Sequence, residues 1–154
     1  MKKINAIYLL ILPVLLFGCT TGKKYSYPSN QKPLVVPMET TGYCECKKCC
    51  GWKRNWRFQP VFASGPLKGK PKEVGVTAIG TKADWGTIAA DTRRYPFGTI
   101  MYIPDYGWGR VEDVGSAIKG QHIDLFFPSH KRALQWGRTW KTVKIWKPKY
   151  KMKK

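Results

Sequence analysis

A chain of 154 residues leaves room for one domain with a real core and excludes a second of comparable size. Its 28 Lys and Arg stand against nine Asp and Glu, a formal net charge of +19. That balance favours anionic polymers through counterion release and steering, and acids this scarce are too few to serve as solubilising surface.

The N-terminus opens with Lys2 and Lys3 and an apolar run of twelve residues, Ala6 to Phe17, broken by Pro13. The run is too short to span a bilayer comfortably and reads as a signal peptide over residues 1–18. It ends in Leu16-Phe17-Gly18-Cys19, which resembles the bacterial lipobox, so Cys19 is expected to be lipidated. The protein is then expected in the cell envelope, outside the cytoplasm, anchored to a membrane by more than one acyl chain. Loss of residues 1–18 leaves a charge of about +17. In that compartment the expected partners are anionic envelope polymers and not nucleic acid. Thr20 does not resemble an inner-membrane retention signal, so a Gram-negative host would place the protein at the outer membrane.

Residues 19–38 read as the lipidated cysteine and a flexible tether, polar and proline-bearing, without helical or strand periodicity. Cys44-Glu-Cys46-Lys-Lys-Cys49-Cys50 then packs four thiols into seven residues. In an exported protein two disulfides are expected, in pairings that separate Cys49 from Cys50. Free or redox-active thiols and a zinc or other soft-metal site are the alternatives, but four thiols on one short loop surround an ion poorly. No metal or cofactor is therefore assigned. A nucleophilic cysteine with His122 or His130 as base lacks any local signature, and both histidines read as structural.

The middle of the chain reads as mostly β. Runs rich in β-branched and aromatic residues, punctuated by Gly and Pro, predict strands at Glu73–Ile79, Gly86–Ala90, Thr99–Ile103, Gly109–Val114, His122–Phe127 and Thr139–Trp146. Pro104-Asp-Tyr-Gly-Trp-Gly109 predicts a turn. Ser129 to Gly137 carries the one helix signal, with Ser129 as N-cap and Gly137 just past the end. Six short strands and a short helix suggest a small closed barrel, which leaves no open edges. Residues 147–154 form a basic tail.

Three aspartates concentrate the chemistry: Asp91 in Ile-Ala-Ala-Asp-Thr, Asp113 in Glu-Asp-Val-Gly, and Asp124 in His-Ile-Asp-Leu-Phe-Phe. Asp124 has the most apolar surroundings, which should raise its pKa by desolvation. Asp113 and Asp91 are placed beside it as catalytic candidates, with turn-organising roles as the plainer reading of each. Lys119 is expected at the rim of the site or as a partner for Asp113. Thr77 and Thr81 are candidates for hydrogen bonding to substrate, and Tyr106, Trp108 and Trp85 for stacking against it.

The ordered motifs Gly42-Tyr-Cys-x-Cys-x-x-Cys-Cys-Gly51, Val76-Thr-Ala-Ile-Gly-Thr81, Gly86-x-Ile-Ala-Ala-Asp91, Pro96-x-Gly-Thr99, Asp113-x-Gly-x-Ala-Ile-Lys-Gly120 and Ile123-Asp-Leu-Phe-Phe127 resemble the bacterial 3D domain, named for its three aspartates. The chain is also similar to the catalytic barrel of membrane-bound lytic transglycosylase A, over about residues 39–146. The resemblance implies a six-stranded double-psi β-barrel that cleaves peptidoglycan glycan strands between N-acetylmuramic acid and N-acetylglucosamine without water. The muramyl 6-hydroxyl attacks its own anomeric carbon and leaves a 1,6-anhydro product. One carboxyl group can serve such a reaction, first giving a proton to the leaving oxygen and then taking one from the 6-hydroxyl; Asp124 is assigned that role. A non-catalytic wall-binding module is the alternative. Ile79 stands where the family often has Ser, and the chain has no room for the second domain that completes the groove of lytic transglycosylase A.

Overall fold

The computed structural model describes Tyr25 and residues 30–149. The segment expected to be a signal peptide, the expected lipidation site Cys19, most of the expected tether and the end of the basic tail lie outside the described residues.

Among the described residues eight strands and two short helices follow in order: β1 (Leu34–Tyr43), α1 (Lys47–Cys50), β2 (Trp52–Arg54), β3 (Pro60–Phe62), β4 (Thr87–Ala90), β5 (Ile100–Ile103), β6 (Gly107–Asp113), β7 (His122–Phe126), α2 (His130–Trp136) and β8 (Thr139–Trp146). Six of the strands close into a barrel in the order β1-β7-β4-β6-β5-β8, as the sequence led us to expect; β2 and β3 form a separate hairpin. The pairing is mixed. β1 runs parallel to β7, and β4 parallel to β6, while the other neighbours are antiparallel. Alternation of side chains along the strands aims Met38, Ile88, Met101, Ile103, Val111, Ile123, Leu125, Val143 and Ile145 into the barrel, all at most 1% exposed. Each such side chain contributes roughly 1.5–3 kcal/mol by leaving water.

Helix α2 starts as its sequence predicts. Ser129 is the N-cap, its Oγ accepting from the Arg132 amide, and Gly137 ends the helix. The helix lies against β1 at Gly42, where an added Cβ would stand 2.8 Å from the Ala133 carbonyl oxygen and 3.0 Å from the Phe127 ring. Only glycine permits that approach, and it fixes where α2 sits relative to the end of β1.

Two expectations are corrected here. Residues 34–38, read as the end of the tether, are the first half of β1, whose Met38 is wholly buried. Pro33 and Pro37 masked the strand signal, yet Pro37 is accommodated opposite Thr142. Conversely, Glu73–Ile79 is not a strand. Gly75 and Gly80 take φ values of +76° and +80°, and the Thr77 amide donates to the Thr81 carbonyl, so the segment folds into turns with one isolated bridge from Val76 to Lys82.

A bulge in β6 matters most for the site. Thr87 and Ile88 of β4 face Arg110 and Val111, but Ala89 faces Asp113, so Glu112 is the extra residue. Val111 and Glu112 are therefore buried in succession, and Asp113 is turned to the side it would otherwise face away from.

Candidate active site

Asp113 and Asp124 stand in register with the same residue. Ala89, on β4, is opposite Asp113 of β6 on one side and Asp124 of β7 on the other. The two carboxyl groups line one cleft of about 460 Å³, together with Tyr43, Ala89, Ile118, Val114 and Lys72. A larger cleft of about 670 Å³ lies elsewhere, between Gln31, Pro33, Tyr102, Trp108, Lys144 and Trp146. It contains no carboxyl group and so no acid, and the aspartate cleft is the candidate site.

Strand β1 furnishes a hydroxyl to each acid, from alternate residues on one face. Thr41 Oγ1 donates to Asp124 Oδ1 at 2.8 Å, across the parallel pairing of β1 with β7. Tyr43 Oη donates to Asp113 Oδ2 at 3.1 Å. Asp113 Oδ1 also accepts from the amides of Ala78 and Val114, so its carboxylate is held by three donors. His122 Nε2 lies 2.9 Å from Thr41 Oγ1, His122 Nδ1 lies 3.8 Å from Glu39, and Arg138 Nη1 lies 2.7 Å from Glu39. A chain of polar contacts thus runs from Arg138 at the surface through Glu39, His122 and Thr41 to Asp124.

The electrostatics separate the aspartates. Burial pushes the Asp124 carboxyl above the usual carboxylate range; the Thr41 hydroxyl and the charges of His122 and Arg138 pull the other way, and Asp113 adds to the rise. Burial and the adjacent Asp113 likewise push the Tyr43 phenol up. Asp91 is different. The Arg93 guanidinium grips both its oxygens at 3.0 Å, the Gly120 amide donates at 3.2 Å, and together they hold its carboxyl well below the usual range. It sits after β4 and does not line the cleft. Asp91 ties that turn to the loop ahead of β7.

The other sequence candidates disperse. Thr77 and Thr81 are joined at 2.8 Å, and Thr81 Oγ1 donates to Glu112 Oε2, so both belong to a buried cluster around Glu112 with Thr87 and Arg110. Lys119 is exposed, its ammonium 3.5 Å from the Gly115 carbonyl. Tyr106 is core: it stacks on Trp85 at 4.6 Å, donates to the Phe126 carbonyl and accepts from the Gly86 amide. Trp108 packs between Tyr102 and Trp146 in the larger cleft. Among the aromatic rings of the described residues the most exposed are Trp56 and Phe58, at 80% and 76%, on the loop of the β2–β3 hairpin, whose Phe62 borders the aspartate cleft.

The four clustered cysteines are free thiols, which corrects the expected disulfides. Cys44 and Cys49 stand 3.7 Å apart, and Cys49 and Cys50 border the aspartate cleft. Sequence reasoning missed Thr41, Tyr43, Glu39 and Glu112. Thr41 and Tyr43 alternate ahead of the cysteine motif, and that period-two spacing was the available signal.

Residues 86–148 match the family model of the 3D domain. All three aspartates fall within that segment, whereas Thr41, Tyr43 and the cysteines precede it. Over 58 residues the chain is 47% identical to the putative cell wall shaping protein YabE of Bacillus subtilis (strain 168), a match covering 38% of this chain and 14% of that protein. Over 75 residues it is 39% identical to the cell wall-binding protein YocH of the same organism, covering 46% of this chain and 26% of that protein. The matched segments thus span about a quarter or less of these relatives' length.

Proposed function

We propose that this 3D-domain chain acts on the bacterial cell wall from the extracytoplasmic side, cleaving peptidoglycan glycan strands without water, with Asp124 as the acid and base. The names of its two relatives, one a shaping and one a binding protein of the cell wall, support the site of action. A single observation carries the catalytic part: a carboxyl group whose pKa is raised by burial lies in a cleft beside a second carboxylate held by three donors.

In this reading protonated Asp124 gives its proton to the glycosidic oxygen as the bond to the muramyl anomeric carbon breaks. The resulting carboxylate then takes the proton of the muramyl 6-hydroxyl as that oxygen closes on the same carbon. Asp113 lies on the same wall and supplies negative charge near the oxocarbenium-like centre. Thr41 keeps Asp124 oriented through both half-steps, since its hydroxyl can donate to the carboxylate. Asp91, committed to Arg93 and Gly120, is a positioning residue in this scheme.

The experiment is mass spectrometry of the soluble products released from purified peptidoglycan by the parent protein and by Asp124→Asn. Anhydromuropeptides from the parent alone are the expected result. Reducing-end products would make the chain a hydrolase. No release by a parent that still binds glycan would overturn catalysis and leave a wall-binding module, the role named for the second relative.

A further inference from the structure

We infer that Cys44, Cys46, Cys49 and His130 form a structural site for one zinc ion, at the edge of the aspartate cleft. Among the described residues, the candidate ligand atoms of these four side chains all lie within 4.8 Å of one another. The objection that one loop cannot surround an ion falls away, because the fourth ligand comes from a different element.

The topology explains the meeting. β1 and β7 are parallel and end together, at Tyr43 opposite Phe126. The cysteine loop leaves the end of β1, and Pro128-Ser129-His130 leaves the end of β7, so both emerge at the same rim of the barrel. The Phe127 amide, bonded to the Tyr43 carbonyl at 2.7 Å, holds the two exits side by side. Close packing of α2 on Gly42 then brings His130, the first residue of that helix, over the thiols.

The distances match a tetrahedron. With Zn–S of about 2.3 Å and Zn–N of about 2.0–2.1 Å, tetrahedral edges are about 3.8 Å between sulfurs and about 3.5 Å from sulfur to nitrogen. Cys44 and Cys49 are 3.7 Å apart, and His130 Nδ1 lies 3.4 Å from Cys49, 3.5 Å from Cys46 and 4.0 Å from Cys44. The backbone completes the surroundings: the amide of Cys46 faces the Cys44 sulfur, those of Lys48 and Cys49 face Cys46, and that of Cys44 faces Cys49. Donors of this kind orient thiolate ligands from outside the coordination shell. Cys50 is set apart, its Sγ donating to the Cys44 carbonyl at 3.1 Å.

Three thiolates and a neutral imidazole fill all four positions, so the ion would hold structure and leave no place for substrate. The loop needs such a staple. Helix α1 is four residues long and buries none of them. Binding releases the three thiol protons and joins the cysteine loop to α2, fixing the wall of the cleft that Cys49 and Cys50 provide.

The test uses the full chain purified under reducing conditions and supplied with zinc. Elemental analysis is expected to give one zinc per chain, and X-ray absorption a shell of three sulfurs and one nitrogen. His130→Ala is expected to weaken zinc binding more than tenfold, and Cys50→Ser to leave it unchanged. Sub-stoichiometric zinc, an oxygen-rich shell, a Cys44–Cys49 disulfide in the protein supplied with zinc, or parental affinity in His130→Ala would each overturn the assignment. The absorption measurement on the parent stands even where a variant fails to fold.

Discussion

Thr41 gives its hydroxyl hydrogen to Asp124 across the parallel β1–β7 pairing, at 2.8 Å, while His122 approaches the same hydroxyl at 2.9 Å. A short donor on the acid favours its ionised form, opposing the burial that favours the protonated one. Thr41→Val removes that donor and preserves shape. The Asp124 pKa should rise further, followed by NMR titration of the carboxyl carbon, and stability should fall by about 1 kcal/mol. An unchanged titration would break the proposed coupling.

Asp124→Asn should abolish turnover while making the fold more resistant to heat at neutral pH. Burial raises the folded pKa above the unfolded value of about 3.9, so protonation favours the folded state. That stability is fully present below about pH 4 and is lost as pH rises through the folded pKa. Asparagine stays neutral throughout. The variant should therefore melt above the parent at pH 7, with the gap closing toward about pH 4; parallel melting curves would contradict the desolvation account.

Asp91 carries the opposite sign. Its folded pKa is depressed, first by the Arg93 guanidinium and then by the Gly120 amide, so its contribution is present above about pH 4 and lost as pH falls through the folded value. Arg93→Ala should lower the melting temperature at pH 7 and flatten the acid-side loss seen in the parent. Thermal melts between about pH 2 and pH 7 would read both effects.

Glu112 is wholly buried and bound to Arg110. Arg110→Ala removes that guanidinium from a buried carboxylate and should cost roughly 3 kcal/mol in urea denaturation. Because Glu112 is the bulged residue that turns Asp113 into the cleft, glycan cleavage or binding should weaken as well. A stability loss confined to a few tenths of a kcal/mol would show that other neighbours hold Glu112.

What the sequence disclosed followed from local pattern. Strands β4 to β8 declared themselves by β-branched runs between glycines, and α2 by Ser129 and Gly137. Asp124 stood out because its neighbours are apolar, a property of the adjacent residues themselves. The failures are all non-local. Thr77 and Thr81 looked like substrate ligands because Glu112, which engages Thr81, is 31 positions away from it. Tyr106 and Trp108 looked like stacking surfaces, but which face of a ring is covered depends on Trp85, Tyr102 and Trp146. The disulfides expected within the cysteine loop left out His130, which lies far away in sequence and which only the fold brings to the thiols. The bulge at Glu112, which decides the direction of Asp113, exists only as a relation to β4.

Strand β1 takes one neighbour from β7 and the other from β8. Both follow the other barrel strands in sequence, so β1, the first of the described strands, must wait for them to be synthesised before it can pair. Until then residues 34–43 present two open edges and the apolar Met38. The chain is therefore a high-contact-order folder, and its slow step should be the seating of β1. A molecule truncated before Thr139 would leave the barrel open on one side, with Asp124 deprived of the strand that carries Thr41.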